Sequence, residues 1–199
     1  FLLSDRESPT NDEAVIWRVS RDSGAEITRT SYEGVIYPRE VDYLPDGNRL
    51  LVVMQDHFRL LDAADQHERA RYIAPGREVT VLTPLSDGKS ALAAYQNGTL
   101  IRWNLDTAEI GWDAPLSTAA LRAVSVTADG STAVVTDAKG SVLLIDTTTG
   151  SQLRAFEGFV YQATAVISPD FTYVAGESCL ELVGENCATR LLKIWNAKD

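Results

Sequence analysis

Four copies of one turn, almost evenly spaced, constrain this 199-residue chain more than any other feature. They read Pro45-Asp46-Gly47, Ser86-Asp87-Gly88, Ala128-Asp129-Gly130 and Pro169-Asp170-Phe171, with steps of 41, 42 and 41 residues between the aspartates. Asp-Gly suits a tight hairpin, because the short carboxylate bonds nearby backbone and glycine takes φ > 0 without steric cost. The fourth copy has Phe171 in the glycine place, which predicts a different turn geometry there. A second marker keeps the same beat. Trp17, Leu61, Trp103, Ile145 and Trp195 each end an apolar run and precede Arg18, Asp62, Asn104, Asp146 and Asn196. Leu61 to Trp103 and Trp103 to Ile145 are both 42 residues. A third marker precedes the turn aspartate by 12 residues at Gly34, Ser117 and Gly158, and by 11 at Gly76.

Between these markers lie apolar hairpins. Leu50-Leu51-Val52-Val53 answers Phe58-Arg59-Leu60-Leu61, Ala91-Leu92-Ala93-Ala94 answers Leu100-Ile101-Arg102-Trp103, and Thr132-Ala133-Val134-Val135 answers Val142-Leu143-Leu144-Ile145. Runs this apolar belong to sheets covered on both faces. A period of roughly 40–45 residues built of short strands marks a β-propeller of four-stranded antiparallel blades. The expected fold class is therefore all-β, a single partial propeller with blade fragments near 1–33, 34–74, 75–116, 117–157 and 158–199. Strand counting opens the chain on a blade's second strand, Phe1 to Ser4, and ends it after a third strand, Lys193 to Asn196. Three full and two incomplete blades in an open arc would leave two apolar faces in water, which monomers avoid. With no initiator Met, the expectation is a piece of something longer. The remaining blades then come from the same longer chain or from a second copy.

Asp-Gly turn, apolar hairpin, Trp-Asp-like pair, Thr149-Gly150 and then Leu153-Arg154-Ala155-Phe156-Glu157-Gly158 together resemble the WD-repeat β-propeller family, with divergent repeats, over nearly the whole chain. Only Trp17, Trp103 and Trp195 keep the family's Trp; Leu61 and Ile145 replace it. Gly34 is followed by Val35 and Gly158 by Phe159, where the family has Gly-His, so the resemblance implies no buried His–Asp network. Pro84 is a further departure, in a stretch read as an innermost strand. The resemblance implies a non-enzymatic scaffold that grips a protein or peptide partner across its loop face, without a cofactor, in the cytoplasm.

Nine residues before the turn aspartates stand Tyr37, Glu78, Ala120 and Tyr161, with Arg39 and Arg77 close by. Loop aromatics supply rigid contact area, and Tyr37, Arg39, Arg77, Glu78 and Tyr161 form the candidate partner-binding set. An alternative is a propeller-scaffold enzyme of the metal-dependent lactonase or hydrolase type. Its site would use the innermost strands, Val41-Asp42-Tyr43, Val81-Leu82-Thr83, Val124-Ser125-Val126 and Ala165-Val166-Ile167, which offer one carboxylate, Asp42. A second alternative is the sensor portion of a larger signalling protein. His57 and His67 make no metal spacing with a cysteine, and neither a G-x-S-x-G nor a G-x-x-x-x-G-K motif occurs, so no catalytic, metal or cofactor residue is assigned. His57 reads as a turn residue and Trp112 as half buried on an outer strand. Net charge is 18 − 28 = −10 without a Lys/Arg run, which argues against nucleic acid. No apolar stretch approaches the ~20 residues of a membrane span. Asn97-Gly98-Thr99 fits both a glycosylation sequon and the preferred two-residue hairpin turn.

Cys179 and Cys187 are the only cysteines, and they bracket the one break in the period, since Ile145 to Trp195 is 50 residues. The inserted residues lengthen a hairpin, which predicts Cα atoms within about 7 Å of each other. A bridge would imply an extracytoplasmic, oxidising location and free thiols a cytosolic one. Both remain open at this level.

Overall fold

The computed structural model describes residues 13–19, 22–23, 25–33, 39–156, 158–159, 161, 163–183 and 186–198. Every regular element among them is a strand, and every strand pairing is antiparallel. The first sheet pairs β1 (Glu13–Val19) with β2 (Glu26–Glu33). The second holds β3 (Glu40–Tyr43), β4 (Arg49–Val53), β5 (His57–Asp62) and β6 (Glu68–Ile73). The third holds β7 (Val79–Pro84), β8 (Ser90–Tyr95), β9 (Thr99–Asn104) and β10 (Ile110–Pro115). The fourth holds β11 (Leu121–Val126), β12 (Thr132–Asp137), β13 (Val142–Asp146) and β14 (Gln152–Phe156). The fifth has three strands, β15 (Ala163–Ile167), β16 (Tyr173–Val183) and β17 (Asn186–Asn196). The expected strand at Phe1 to Ser4 lies outside the described residues.

The turn aspartates do what their spacing predicts. Each Oδ1 accepts the amide two residues on, at 2.8 Å for Asp46, 2.8 Å for Asp87, 3.0 Å for Asp129 and 3.1 Å for Asp170. The residue between sits at φ 68° in Gly47, 63° in Gly88 and 72° in Gly130. Phe171 corrects one expectation, because at φ 57° it adopts the same turn. Two interactions hold it there. Ser168 Oγ donates to Asp170 and accepts the Thr172 and Tyr173 amides, and the Phe171 ring packs on the apolar cluster of the fourth and fifth sheets. Pro84 is also accommodated. Leu85 N–H donates to Ser90, so the neighbouring Pro84 nitrogen faces the open edge, where no ladder bond is lost.

From the second sheet onward each sheet packs on the next in chain order, first strands leading: β3 against β7, β7 against β11, β11 against β15. Leu51, Val53, Phe58, Leu60 and Tyr72 of the second sheet meet Leu82, Ala91, Ala93, Tyr95, Ile101 and Trp103 of the third, all nearly or fully buried. At this seam Phe58 stacks on Tyr72 at 4.4 Å, Trp103 stands edge-on to both, and Tyr72 Oη donates to Leu105 O. The third and fourth sheets meet through Leu92, Ala94 and Leu100 against Leu121, Ala133, Val135, Leu143 and Ile145. The fourth and fifth meet through Val134, Val142, Leu144 and Phe156 against Ala165, Ile167 and Val174. At roughly 25 cal/mol per Å² of apolar surface, these seams rather than any central core hold the fold.

Candidate loop-face site

The stacking gives the sheets two unlike ends. One end carries the Asp-Gly turns and the turns after β5, β9 and β13. Arg49 cross-links it by donating to Gly88 O and pairing with Asp46 and Asp106. The other end carries the β4–β5, β8–β9 and β12–β13 turns together with the connections between sheets. Here Val79 N–H donates to Gln55 O, Leu116 and Ser117 N–H to Gly98 O, and Phe159 N–H to Gly140 O. Each connection therefore lies on the preceding sheet's turn, which fixes where its side chains emerge.

The equivalent positions nine residues before the turn aspartates fall on this second end. Tyr37 lies outside the described residues. At two of the other three the carbonyl accepts the amide just past the sheet's second strand, Gln96 N–H on Glu78 O and Ala138 N–H on Ala120 O, whereas Tyr161 O accepts the Ser178 Oγ hydroxyl. The side chains differ more. Ala120 is buried, Tyr161 is 37% exposed, and Glu78 reaches out to take a hydrogen bond from Gln55 Nε2 at 3.1 Å. Arg39 comes to 4.0 Å of Glu78 and donates to Val79 O at 3.1 Å, so Arg39, Gln55 and Glu78 form one exposed polar group. Arg77 faces its own sheet, paired to Asp113 at 2.7 Å and bonded to Thr99 Oγ1. Tyr161 stands three sheets from Arg39, beside Gly140 and Ser178.

Several polar features have no signature in the sequence. His57 opens β5 instead of sitting in the turn, with only 12% of its side chain exposed. Its Nε2 accepts Arg59 Nε–H at 3.0 Å, so Nδ1–H donates to Asp56 at 2.6 Å. Arg59 continues to Glu68 at 3.1 Å. Asp56 is held below its usual carboxylate value, chiefly by that His57 hydrogen bond. In the fourth sheet, Ser117 Oγ donates to buried Asp137 at 2.5 Å, with the Lys139 and Ser141 amides on its other oxygen. Burial alone would raise that carboxyl, but these donors outweigh it and hold it low. β3 begins at Glu40, one residue before the strand read from sequence, and so adds a second carboxylate beside Asp42. Burial pushes both groups up; for Glu40 the Leu82 amide, at 3.2 Å from Oε2, partly offsets it. Among the described residues no group of three or more His, Cys, Asp or Glu side chains is arranged to hold a metal ion, and no helix is long and apolar enough to cross a membrane.

Trp112 is half buried, as expected, but it is tied down. Its Nε1 donates to Thr147 O of the next sheet at 3.0 Å, and its ring lies so close to Gly150 that a Cβ there would come within 2.8 Å of it. The cysteines lie at the second end, on the hairpin that corresponds to β12–β13. β16 and β17 run to eleven residues each, with Cys179 and Cys187 Cα atoms 5.6 Å apart and their sulfurs at disulfide distance, within the expected limit.

No family model matches the chain, and no curated protein matches it. Solved structures do, in 1165 chains, so the architecture is widespread and by itself selects no function. One of them is the crystal structure of the computationally designed Ika4 protein, with a TM-score of 0.62 and 17% identity, covering 75% of this chain and 85% of that chain. At that identity the likeness concerns the fold alone.

Proposed function

We propose that the chain is part of a WD-repeat-like β-propeller that acts as a non-enzymatic protein-interaction module, binding a protein or peptide on the end where Arg39, Gln55, Glu78 and Tyr161 emerge. The observation that carries this reading is that the Glu78, Ala120 and Tyr161 carbonyls are each tied by a hydrogen bond while their side chains differ, with those of Glu78 and Tyr161 reaching out. A scaffold that fixes the carbonyl and leaves the side chain unconstrained is free to vary its contacts without cost to the fold. The exposed pair of Arg39 and Glu78 contributes little to stability, on the order of 0–1 kcal/mol, so both charges are available to a partner. Site-specific photo-cross-linking at Glu78 and Tyr161, with Asp106 on the opposite end as control, tests this. Discrete protein adducts at the first two positions and none at Asp106 support the module; adducts at no position, or equally at all, count against it.

The propeller part of the proposal rests on the chain-order stacking of the second to fifth sheets and on the outward face of the fifth. Ala175, Leu192 and Ile194 stand in the repeat where Val134, Val142 and Leu144 stand one sheet earlier. The earlier three are at most 3% exposed beneath the fifth sheet, whereas Leu192 and Ile194 are each 65% exposed, with Val166 at 59%. A further sheet of the same kind, from a longer chain or a second copy, fits that face.

The enzyme reading keeps one favourable observation, the raised carboxyls of Glu40 and Asp42 on β3. Glu40 is engaged by the Leu82 amide, which makes it a strand-to-strand tie. Assay of ester and lactone hydrolysis with added divalent metal distinguishes the readings. Turnover lost in Asp42→Asn would favour the enzyme.

A further inference from the structure

The one break in the repeat period is also where sulfur, a cation and a cleft meet. β16 and β17 exceed the five or six residues of their counterparts, β4, β5, β8, β9, β12 and β13. The two cysteines are not partners across the hairpin. Cys179 lies opposite Arg190 and Cys187 opposite Leu182, with the register shifting on both sides of Glu181. The bridge thus crosses a hairpin that backbone pairing already holds, over a separation of only 8 residues. Neither cysteine belongs to an apolar cluster between sheets. Cys187 is exposed and Cys179 half-buried. Beside the sulfurs opens a cleft of about 220 Å³, lined by Thr164, Glu177, Ser178, Cys179, Cys187 and Arg190. The Arg190 side chain is 71% exposed, and Glu177 Oε1 holds its guanidinium at 3.5 Å.

We propose that Cys179 and Cys187 form a thiol–disulfide exchange site, reached through this cleft by a dithiol reductant. The reductant's thiolate attacks Sγ of Cys187, the more exposed residue of the two. The S–S bond breaks, and Cys179 leaves as a thiolate whose charge Arg190 offsets from the facing strand. Cys187 is then joined to the reductant in a mixed disulfide. The reductant's second thiol, deprotonated, attacks its own sulfur in that bond and expels Cys187 as a thiolate. The two protein thiolates take up the two protons the reductant has lost. The reductant ends as a disulfide, oxidised by two electrons, and the protein gains them as a pair of thiols. A bridge that closed a core would resist this attack. This one spans an exposed arm whose sheet does not depend on it.

Dithiothreitol is the probe. The 199-residue protein is treated with it at neutral pH without denaturant, thiols are trapped over time by alkylation and counted by mass spectrometry, and circular dichroism follows the sheet. The same reaction in denaturant sets the unprotected rate. The expected result is reduction within about threefold of that rate, an unchanged spectrum, and a rate about fivefold lower in Arg190→Ala but retained in Arg190→Lys. Protection by folding of a hundredfold or more, loss of the sheet signal on reduction, or a native rate indifferent to Arg190→Ala each overturns the proposal. Arg190→Lys keeps the charge test valid if removing the side chain disturbs the hairpin.

Discussion

At the scale of single residues, two glycines in left-handed turns separate backbone freedom from lack of room. A Cβ on Gly47, at φ 68°, would meet nothing within 4 Å, whereas one on Gly98, at φ 85°, would fall 2.0 Å from Ser117 O. Gly47→Ala is therefore expected to cost about 1–2 kcal/mol, the left-handed penalty alone. Gly98→Ala adds displacement of the connection lying on it and should exceed about 3 kcal/mol, read by urea denaturation of both variants. Trp112→Ala, losing a half-buried ring and its bond to Thr147, is expected to cost about 2–3 kcal/mol in the same measurement. The turns are legible in the sequence because Asp-Gly is a local signal. Phe171 escapes that signal because its compensations are two: a local one from Ser168, and the packing of its ring on another sheet's residues, which no local rule contains. The Trp112 tether and the Ser117–Asp137 bond are equally out of reach, since both link residues 20 or more positions apart.

At the scale of elements, the strands are legible because apolar runs and turns alternate at a fixed beat, and only their ends differ, as at Glu40. The seam between the second and third sheets predicts a response to alkali. Burial pushes the Tyr72 and Tyr95 hydroxyls up to about 12, from about 10 in an unfolded chain. A group raised in the folded state contributes fully below its unfolded value and loses that contribution as pH climbs to the folded one. Stability should be flat to about pH 10 and fall between about pH 10 and 12, and Tyr72→Phe should blunt the fall. At the acid end the sign reverses. Asp129 and Asp170 are held low, chiefly by the Thr127 and Ser168 hydroxyls respectively, so their contribution is present above about pH 4 and lost below it as they protonate. Thermal melts across both ranges check the two limbs.

At the scale of the whole molecule, the stacking of one sheet on the next makes burial depend on position in the series and not on residue type. The repeat is legible in the sequence, as is its break at the cysteines. The loop-face chemistry is legible only as positions, because which side chain faces out depends on how each connection lies on its neighbour's turn. Leu144 and Ile194 make the most direct comparison, being equivalent in the repeat and both aliphatic, yet 3% and 65% exposed. A charge at Leu144 would be buried between the fourth and fifth sheets, with Arg154 across the strand pair as its one facing cation, while one at Ile194 would face water. The decisive measurement is the denaturation midpoint of Leu144→Asp beside that of Ile194→Asp in the 199-residue protein. Serial stacking predicts a loss of more than about 4 kcal/mol, or failure to fold, for the first and a change within about 0.5 kcal/mol for the second. Equal losses in the two variants would contradict it.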